Sequence, residues 1–92
     1  MDEKTAILAI KDFREALPKI KDHIDSPEDF IKAFEWISKK IISSKYLVLS
    51  SNGLSRKAKV STGAFIAAMW YSGYEIVGQN DYSVFYRVDY QG

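Results

Sequence analysis

The sequence predicts a single domain of the α+β class, with helices through most of the chain and an antiparallel hairpin near its end. Ninety-two residues are too few for two domains of ordinary size. Hydrophobic residues make up 47% of the chain and charged residues 27%, which is the balance of a folded domain. Apolar residues recur mainly at helical spacing before Gly73 and in strand-like runs after it.

A first helix is predicted from Asp2 to Leu17, where apolar side chains recur every three or four residues. Pro18 ends it, because proline removes a backbone donor and clashes with the preceding turn. Residues 19–25 are expected to form a short separate turn. The apolar stripe needs cover from its own domain or from a second copy, so we expect a homodimer through this helix. The stripe consists of Ile7, Ile10, Phe13 and Leu17.

A second helix is predicted to begin after Ser26 and to run to about Ser43. Serine caps a helix, proline suits the first helical position, and the acids Glu28 and Asp29 complement the positive end of the dipole. The run Tyr46–Leu49 predicts a strand, because its β-favouring residues lie between serine-rich boundaries.

A third helix is predicted from a cap at Ser61 until Ser72 and Gly73 stop it. Two β-favouring runs follow on either side of a turn at residues 78–81, which predicts a hairpin with arms at 74–77 and 82–90. Alternate residues of the second arm share one face: Tyr82, Val84, Tyr86, Val88 and Tyr90. Trp36 and Trp70 fall in helical stripes and are predicted core residues.

Charge is segregated along the chain, although its net value is only +1. Residues 1–35 hold nine acids and six bases, and residues 75–92 hold three acids and one base. Residues 36–74 contain no acid and six bases, namely Lys39, Lys40, Lys45, Arg56, Lys57 and Lys59. Such a basic island attracts phosphate, or it serves only as a solvated face.

Residues 54–69, Leu-Ser-Arg-Lys-Ala-Lys-Val-Ser-Thr-Gly-Ala-Phe-Ile-Ala-Ala-Met, resemble the helix-turn-helix family. Two short helices that cross steeply need small contacts at the crossing, here Ser55 and Ala58 against Phe65. The positions of the pattern are occupied by Leu54, Ser55, Ala58, Lys59, Val60, Ser61, Phe65 and Met69.

The elements around this motif make residues 27–90 similar to the winged form of the family. This resemblance implies a helical extension at residues 1–25 and a winged-helix-like core at 26–92. Lys59 stands where the family most often has glycine, so it must adopt a left-handed conformation. The positions of the second helix that would face a major groove carry no side chain able to read a base edge: Thr62, Gly63, Ile66 and Ala67.

A second resemblance is to the small nucleic-acid-binding proteins of the Alba kind, which have a two-layer α/β fold. Helix, strand, a loop bearing glycine and lysine, helix and hairpin occur there in the same order, and residues 52–59 supply the loop. This alternative requires an initial strand, for which Thr5–Ile10 is the candidate.

Enzymatic chemistry finds no support in the sequence. There is no phosphate-binding loop and no nucleophile motif, and the chain has no cysteine and only one histidine, His23. We therefore expect no catalytic site, no metal site and no cofactor. No apolar run is long enough to span a membrane and no signal peptide is visible, and the lack of cysteine suits the cytoplasm.

The winged-helix resemblance implies a duplex-DNA-binding protein, either a transcriptional regulator or an accessory factor. Side chains around the turn would hold phosphates and the hairpin tip would lie near the minor groove. The predicted nucleic-acid-binding residues are Lys45, Arg56, Lys57, Lys59, Ser61, Thr62, Gln79 and Asn80. The alternative is a non-enzymatic protein-interaction module on the same scaffold, such as a viral inhibitor, which the tyrosine-rich hairpin favours.

Overall fold

The computed structural model describes all 92 residues and has an α+β fold, which confirms the predicted class. Its helices are α1 (Glu3–Ala16), α2 (Pro27–Lys40), α3 (Ser51–Ala58) and α4 (Thr62–Tyr71). Its strands are β1 (Ile41–Ser43), β2 (Leu49–Ser50), β3 (Ile76–Gln79), β4 (Val84–Tyr86) and β5 (Val88–Tyr90). None of the helices combines the length and the apolar character needed to span a bilayer.

Helices α2 and α4 begin after the serines that were predicted to cap them, and α1 begins after Asp2, its predicted start. The Asp2 carboxylate accepts the Thr5 N–H at 2.8 Å at the start of α1, and this hydrogen bonding lowers the pKa of Asp2. The Ser26 hydroxyl accepts the Asp29 N–H at 3.2 Å at the start of α2. Ser61 caps α4 in the same way. Short-range hydrogen bonds therefore fix these ends.

The prediction between α2 and α3 is wrong in two places. The helix ends at Lys40 rather than at Ser43, because Ile41 turns the chain into β1. The predicted strand Tyr46–Leu49 is mostly a surface segment, in which the Tyr46 side chain is 93% exposed and only Leu49 belongs to β2. Residues 44–48, which we call the protruding loop, thus interrupt the strand pairing.

Residues 41–50 and residues 84–90 pair with each other at two separate places. In one, β1 pairs antiparallel with β5, and in the other the strand order is β2-β4-β3. Because β4 and β5 are separated only by Arg87, the protruding loop lies opposite a single residue of the facing stretch. The predicted hairpin is confirmed in β3 and β4, whereas β5 leaves it to pair with β1.

The predicted common face of the second hairpin arm is only partly correct. Val84, Tyr86 and Val88 are buried, but Tyr82 lies in the turn with 80% of its surface exposed, and Tyr90 is half-buried. The two tryptophans predicted to be core residues, Trp36 and Trp70, pack against the core cluster but are only half-buried at its edge.

Helix α4 is the centre of the core, with every residue from Gly63 to Met69 buried. Helix α1 packs beside it, where Phe13 is fully buried and its ring centroid lies 6.0 Å from that of Trp70. The segment 17–25, which we call the connector, then crosses α4 on its way to α2. Helix and connector together cover α4.

The apolar stripe of α1, from which we predicted a dimer, is therefore covered mainly by other parts of the same chain. The buried residues of α1 are Ala6, Ala9 and Phe13, while Ile10 and Leu17 are half-buried. Ile7, predicted to lie in the stripe, is 51% exposed. Thr5–Ile10 is helical, so the initial strand that the Alba-like alternative needs is absent.

Candidate nucleic-acid interface

The turn between α3 and α4 has the left-handed residue that the motif requires. Lys59 has φ 60° and ψ 45°, and it is the only non-glycine residue with positive φ. Its N–H donates to the Arg56 carbonyl at 3.2 Å, and its own carbonyl accepts the Lys32 Nζ at 3.2 Å. The turn is thus fixed from both sides, and α2 contributes a lysine to it.

The basic side chains predicted around this turn lie together on the surface of α3. Arg56, Lys57 and Lys59 are all exposed, because the buried positions of this helix are Ser51, Leu54, Ser55 and Ala58. Lys32 joins them from α2. No lysine or arginine of the protein forms an ion pair, since the only close charged pair is His23 with Asp25. These four cations are therefore free to meet an anion.

Two half-buried aromatic side chains border these cations. The Lys57 Nζ lies 5.7 Å from the ring centroid of Tyr90, a cation–π distance, and the Tyr90 and Trp36 ring centroids are 6.1 Å apart. We call this surface the α3 face and define it by six residues. They are Lys32, Trp36, Arg56, Lys57, Lys59 and Tyr90.

The start of α4 already holds an anion from the protein itself. The Asp29 carboxylate accepts the Ser61 N–H at 2.9 Å and the Ser61 hydroxyl at 2.5 Å. A helix N-terminus attracts phosphate through its free N–H groups and its dipole, and here a carboxylate from α2 takes that place. The predicted phosphate contact by Ser61 is therefore not available in this structure.

The second predicted hydroxyl is also used within the fold. The Thr62 Oγ1 lies 3.3 Å from the Ser55 Oγ and donates to the Asn52 Oδ1 at 3.4 Å. These contacts join the first turn of α4 to α3. Thr62 therefore stabilises the crossing of the two helices.

The surface of α4 that was expected to face a major groove is covered. Gly63, Ile66 and Ala67 are buried. A Cβ on Gly63 would lie 2.3 Å from the His23 carbonyl oxygen, so the connector passes directly over this glycine. Helix α4 therefore cannot place Ile66 and Ala67 in a major groove in this arrangement.

Arg14 holds the connector in this position. Its guanidinium donates to the Ile20 carbonyl at 2.9 Å and to the Asp22 carbonyl at 2.6 Å. Charge-assisted bonds of this kind are among the stronger hydrogen bonds in proteins. The covering of α4 is thus built into the fold by a side chain of α1.

The predicted wing tip is ordered but lies beside the connector. The Asn80 Oδ1 accepts the Tyr82 and Ser83 N–H groups, each at 2.8 Å, and the Asn52 Nδ2 donates to the Tyr82 carbonyl at 3.0 Å. Gln79 and Asn80 are exposed at the rim of a cleft of about 400 Å³ whose opposite wall is the connector. Their side chains are accessible, but the Asn80 oxygen already holds the turn.

Lys45 is the remaining predicted residue, and it lies in the protruding loop rather than on α3. Its side chain is exposed and its carbonyl accepts the Arg87 Nη1 at 3.3 Å. Sequence reasoning missed Lys32, Trp36 and Tyr90 as site residues. These three residues lie far from α3 in the sequence and approach it only in the folded protein. Nothing in their own segments marks them as binding residues.

The structure contains no group of three or more histidine, cysteine or carboxylate side chains that could hold a metal ion. Comparisons with protein-family models, curated proteins and solved structures find no match to this chain.

Proposed function

We propose that this protein binds nucleic acid, with duplex DNA as the target, through contacts between the α3 face and the phosphate backbone. The observation that carries the proposal is that Arg56, Lys57 and Lys59 are exposed at one end of α3, that Lys32 reaches the Lys59 carbonyl there, and that none of them has an acidic partner. Phosphate contacts supply most of the affinity in non-specific binding. Trp36 and Tyr90 border the cations and add apolar surface.

We further propose that the fold is a winged helix-turn-helix with an added N-terminal helix. Two observations support this assignment. From α2 onward the order is helix, two short strands, helix, helix and a hairpin that is followed by β5. The strand before α3 pairs with the second arm of the hairpin, which gives the order β2-β4-β3.

The role that fits this surface is that of an accessory factor with little sequence preference. Base reading in the major groove needs side chains that reach base edges, and the covered helix α4 presents none. The exposed cations contact phosphates, which are the same at every sequence. Any preference among sites would come from DNA shape.

A salt titration of binding to random duplex DNA tests the proposal. Four phosphates neutralised by the four cations predict a slope of log K against log salt of about −3.6, from roughly −0.9 per phosphate. The double variant Arg56→Ala, Lys57→Ala should bind all sequences more weakly and reduce the slope to about −1.8. The matched control removes Lys4 and Lys11, which are exposed on α1.

The control should keep more of the wild-type slope than the α3 variant. An equal loss of slope in both variants would mean that any exposed lysine contributes to DNA binding. An unchanged affinity in the α3 variant would exclude the α3 face as the binding surface. Fluorescence anisotropy of a labelled duplex measures both quantities.

A second candidate function is that of a protein-interaction module. The specific observation in its favour is the protruding loop, which exposes three consecutive apolar residues that the core does not use. Loss of this loop should leave DNA binding unchanged, because none of its residues belongs to the α3 face.

A further inference from the structure

The protruding loop places an apolar cluster in solvent. Tyr46 is 93% exposed, Leu47 41% and Val48 46%, and Ile42 in the adjoining strand is 43% exposed. Single exposed apolar side chains are ordinary, but a contiguous group of them is typical of an interaction surface. The core is complete without these residues.

This loop is ordered by polar contacts at its base. The Ser44 hydroxyl accepts the Leu47 N–H at 3.0 Å and the Tyr46 N–H at 3.3 Å. Arg87 donates to the Lys45 carbonyl from the facing stretch of chain. A loop already held in shape loses little conformational entropy when it binds, which favours association.

A groove of about 370 Å³ adjoins the base of the loop. Its lining includes Ser44, Tyr74, Glu75, Val77, Arg87 and Val88. Val77 is 46% exposed and gives the groove an apolar side. Glu75 is exposed and forms no ion pair within the chain.

We propose that the protruding loop of one copy enters this groove on a second copy, so that the chain forms a symmetric dimer. Loop and groove lie on the same surface, because Ser44 belongs to both. Each copy can therefore insert its own loop and receive its partner's, as a two-fold axis requires. The occupant is a second copy because both complementary parts are present on one chain.

The chemistry of the two parts matches. Tyr46 supplies a large apolar anchor, and tyrosine is enriched among the residues that dominate interface energies. Lys45, beside it, has no acidic partner in its own chain and would meet the unpaired Glu75 of the other copy. Two reciprocal tyrosines bury roughly 300 to 500 Å², about a quarter to two-fifths of the roughly 1,200 Å² of a small stable interface, and the exposed Leu47 and Val48 of each loop would supply further area.

This inference is independent of the proposed nucleic-acid binding, since it uses no residue of the α3 face. It also differs from the dimer through α1 expected from the sequence. The two proposals can therefore fail separately, and the dimer is measured without nucleic acid.

Sedimentation of the full chain between about 2 and about 200 μM tests the proposal, a range that covers micromolar dissociation constants. The wild type should change from monomer to dimer across it. Tyr46→Ala should weaken the dimer by about tenfold or more, because it removes the anchor. Tyr82→Ala is the matched control, since Tyr82 is also highly exposed but lies on the wing tip.

A charge exchange provides the second arm. Lys45→Glu and Glu75→Lys should each weaken the dimer, and the double variant should restore most of it. A monomer at every concentration would overturn the inference, as would a dimer insensitive to Tyr46→Ala. Unlimited growth into chains would overturn the two-fold arrangement.

Discussion

Replacing Tyr86 by phenylalanine is expected to stabilise the protein at neutral pH, and to stabilise it further at alkaline pH. Tyr86 lies in β4 with only 1% of its surface exposed. Its hydroxyl is buried and has no hydrogen-bond partner. Burial, and secondarily the negative charge of Asp22, raise the pKa of the phenol above its ordinary value.

The neutral-pH effect follows from the unpaired hydroxyl. A polar group buried without a partner costs about 1 to 3 kcal/mol. Phenylalanine keeps the ring and its edge-on contact with Phe65, whose centroid is 6.5 Å away, and loses only the dispersion contacts of one oxygen. We expect a net gain of about 1 kcal/mol, which raises the Tm of a domain of this size by roughly 4 to 8 °C.

The alkaline effect follows from proton linkage. In the unfolded chain Tyr86 ionises near its ordinary pKa of about 10, whereas in the folded protein its raised pKa keeps it protonated. Below pH 10 the ionisation of Tyr86 does not lower the free energy of unfolding. Above pH 10 that free energy falls, because the unfolded state then binds fewer protons than the folded state. At pH 11 this ionisation lowers the free energy of unfolding of the wild type by about 1.4 kcal/mol. The Tyr86→Phe variant has no phenol at this position and does not undergo the loss.

Urea unfolding followed by tryptophan fluorescence at pH 7 and at alkaline pH measures both effects. Other titrating groups affect wild type and variant alike, so only the difference between the two proteins is used. The control is Tyr82→Phe, at a tyrosine that is 80% exposed, which should change neither value. A Tyr86→Phe protein less stable than wild type would refute the reasoning, because its hydroxyl would then have a partner.

Three further predictions concern the turn and the start of α4. Gly63→Ala should destabilise the protein by about 1 to 3 kcal/mol in the same urea assay, because its Cβ would overlap the His23 carbonyl; a neutral result would show that the connector moves freely. Lys59→Gly should relieve left-handed strain and raise the free energy of unfolding by about 1 kcal/mol, while weakening DNA binding. Asp29→Ala should cost about 1 to 3 kcal/mol by leaving the Ser61 N–H and hydroxyl without their acceptor; thermal unfolding would contradict this if Tm were unchanged.

The parts of the fold that follow from short-range chemistry were predictable from the sequence. The predicted caps Ser26 and Ser61 each bond to the N–H three positions later, as Asp2 does at the start of α1, so the signal lies within one turn. The left-handed conformation of Lys59 followed from its place in the motif. The α+β class followed from the change of periodicity after Gly73.

The parts that depend on tertiary pairing were not predictable. Tyr46 belongs to a residue type that favours strands. In the facing stretch, however, only Arg87 lies opposite residues 44–48, so these five residues cannot all pair and they protrude as a loop. The burial of Ile66 was missed because the connector has no regular structure and gives no periodic signal. Lys32 could not be assigned to the site, since its neighbour Lys59 is distant in sequence.

The covering of α4 also constrains the order of folding during synthesis. Helix α1 and the connector leave the ribosome well before α4, yet Phe13 packs against Trp70 and the connector rests on Gly63. Helix α1 also packs against α2, but until α4 emerges Phe13 lacks its contact with Trp70 and the connector has no helix to cover. Helix α1 and the connector therefore complete their packing only after α4 has been made, and a chain that ends before α4 should leave α1 more open to proteases.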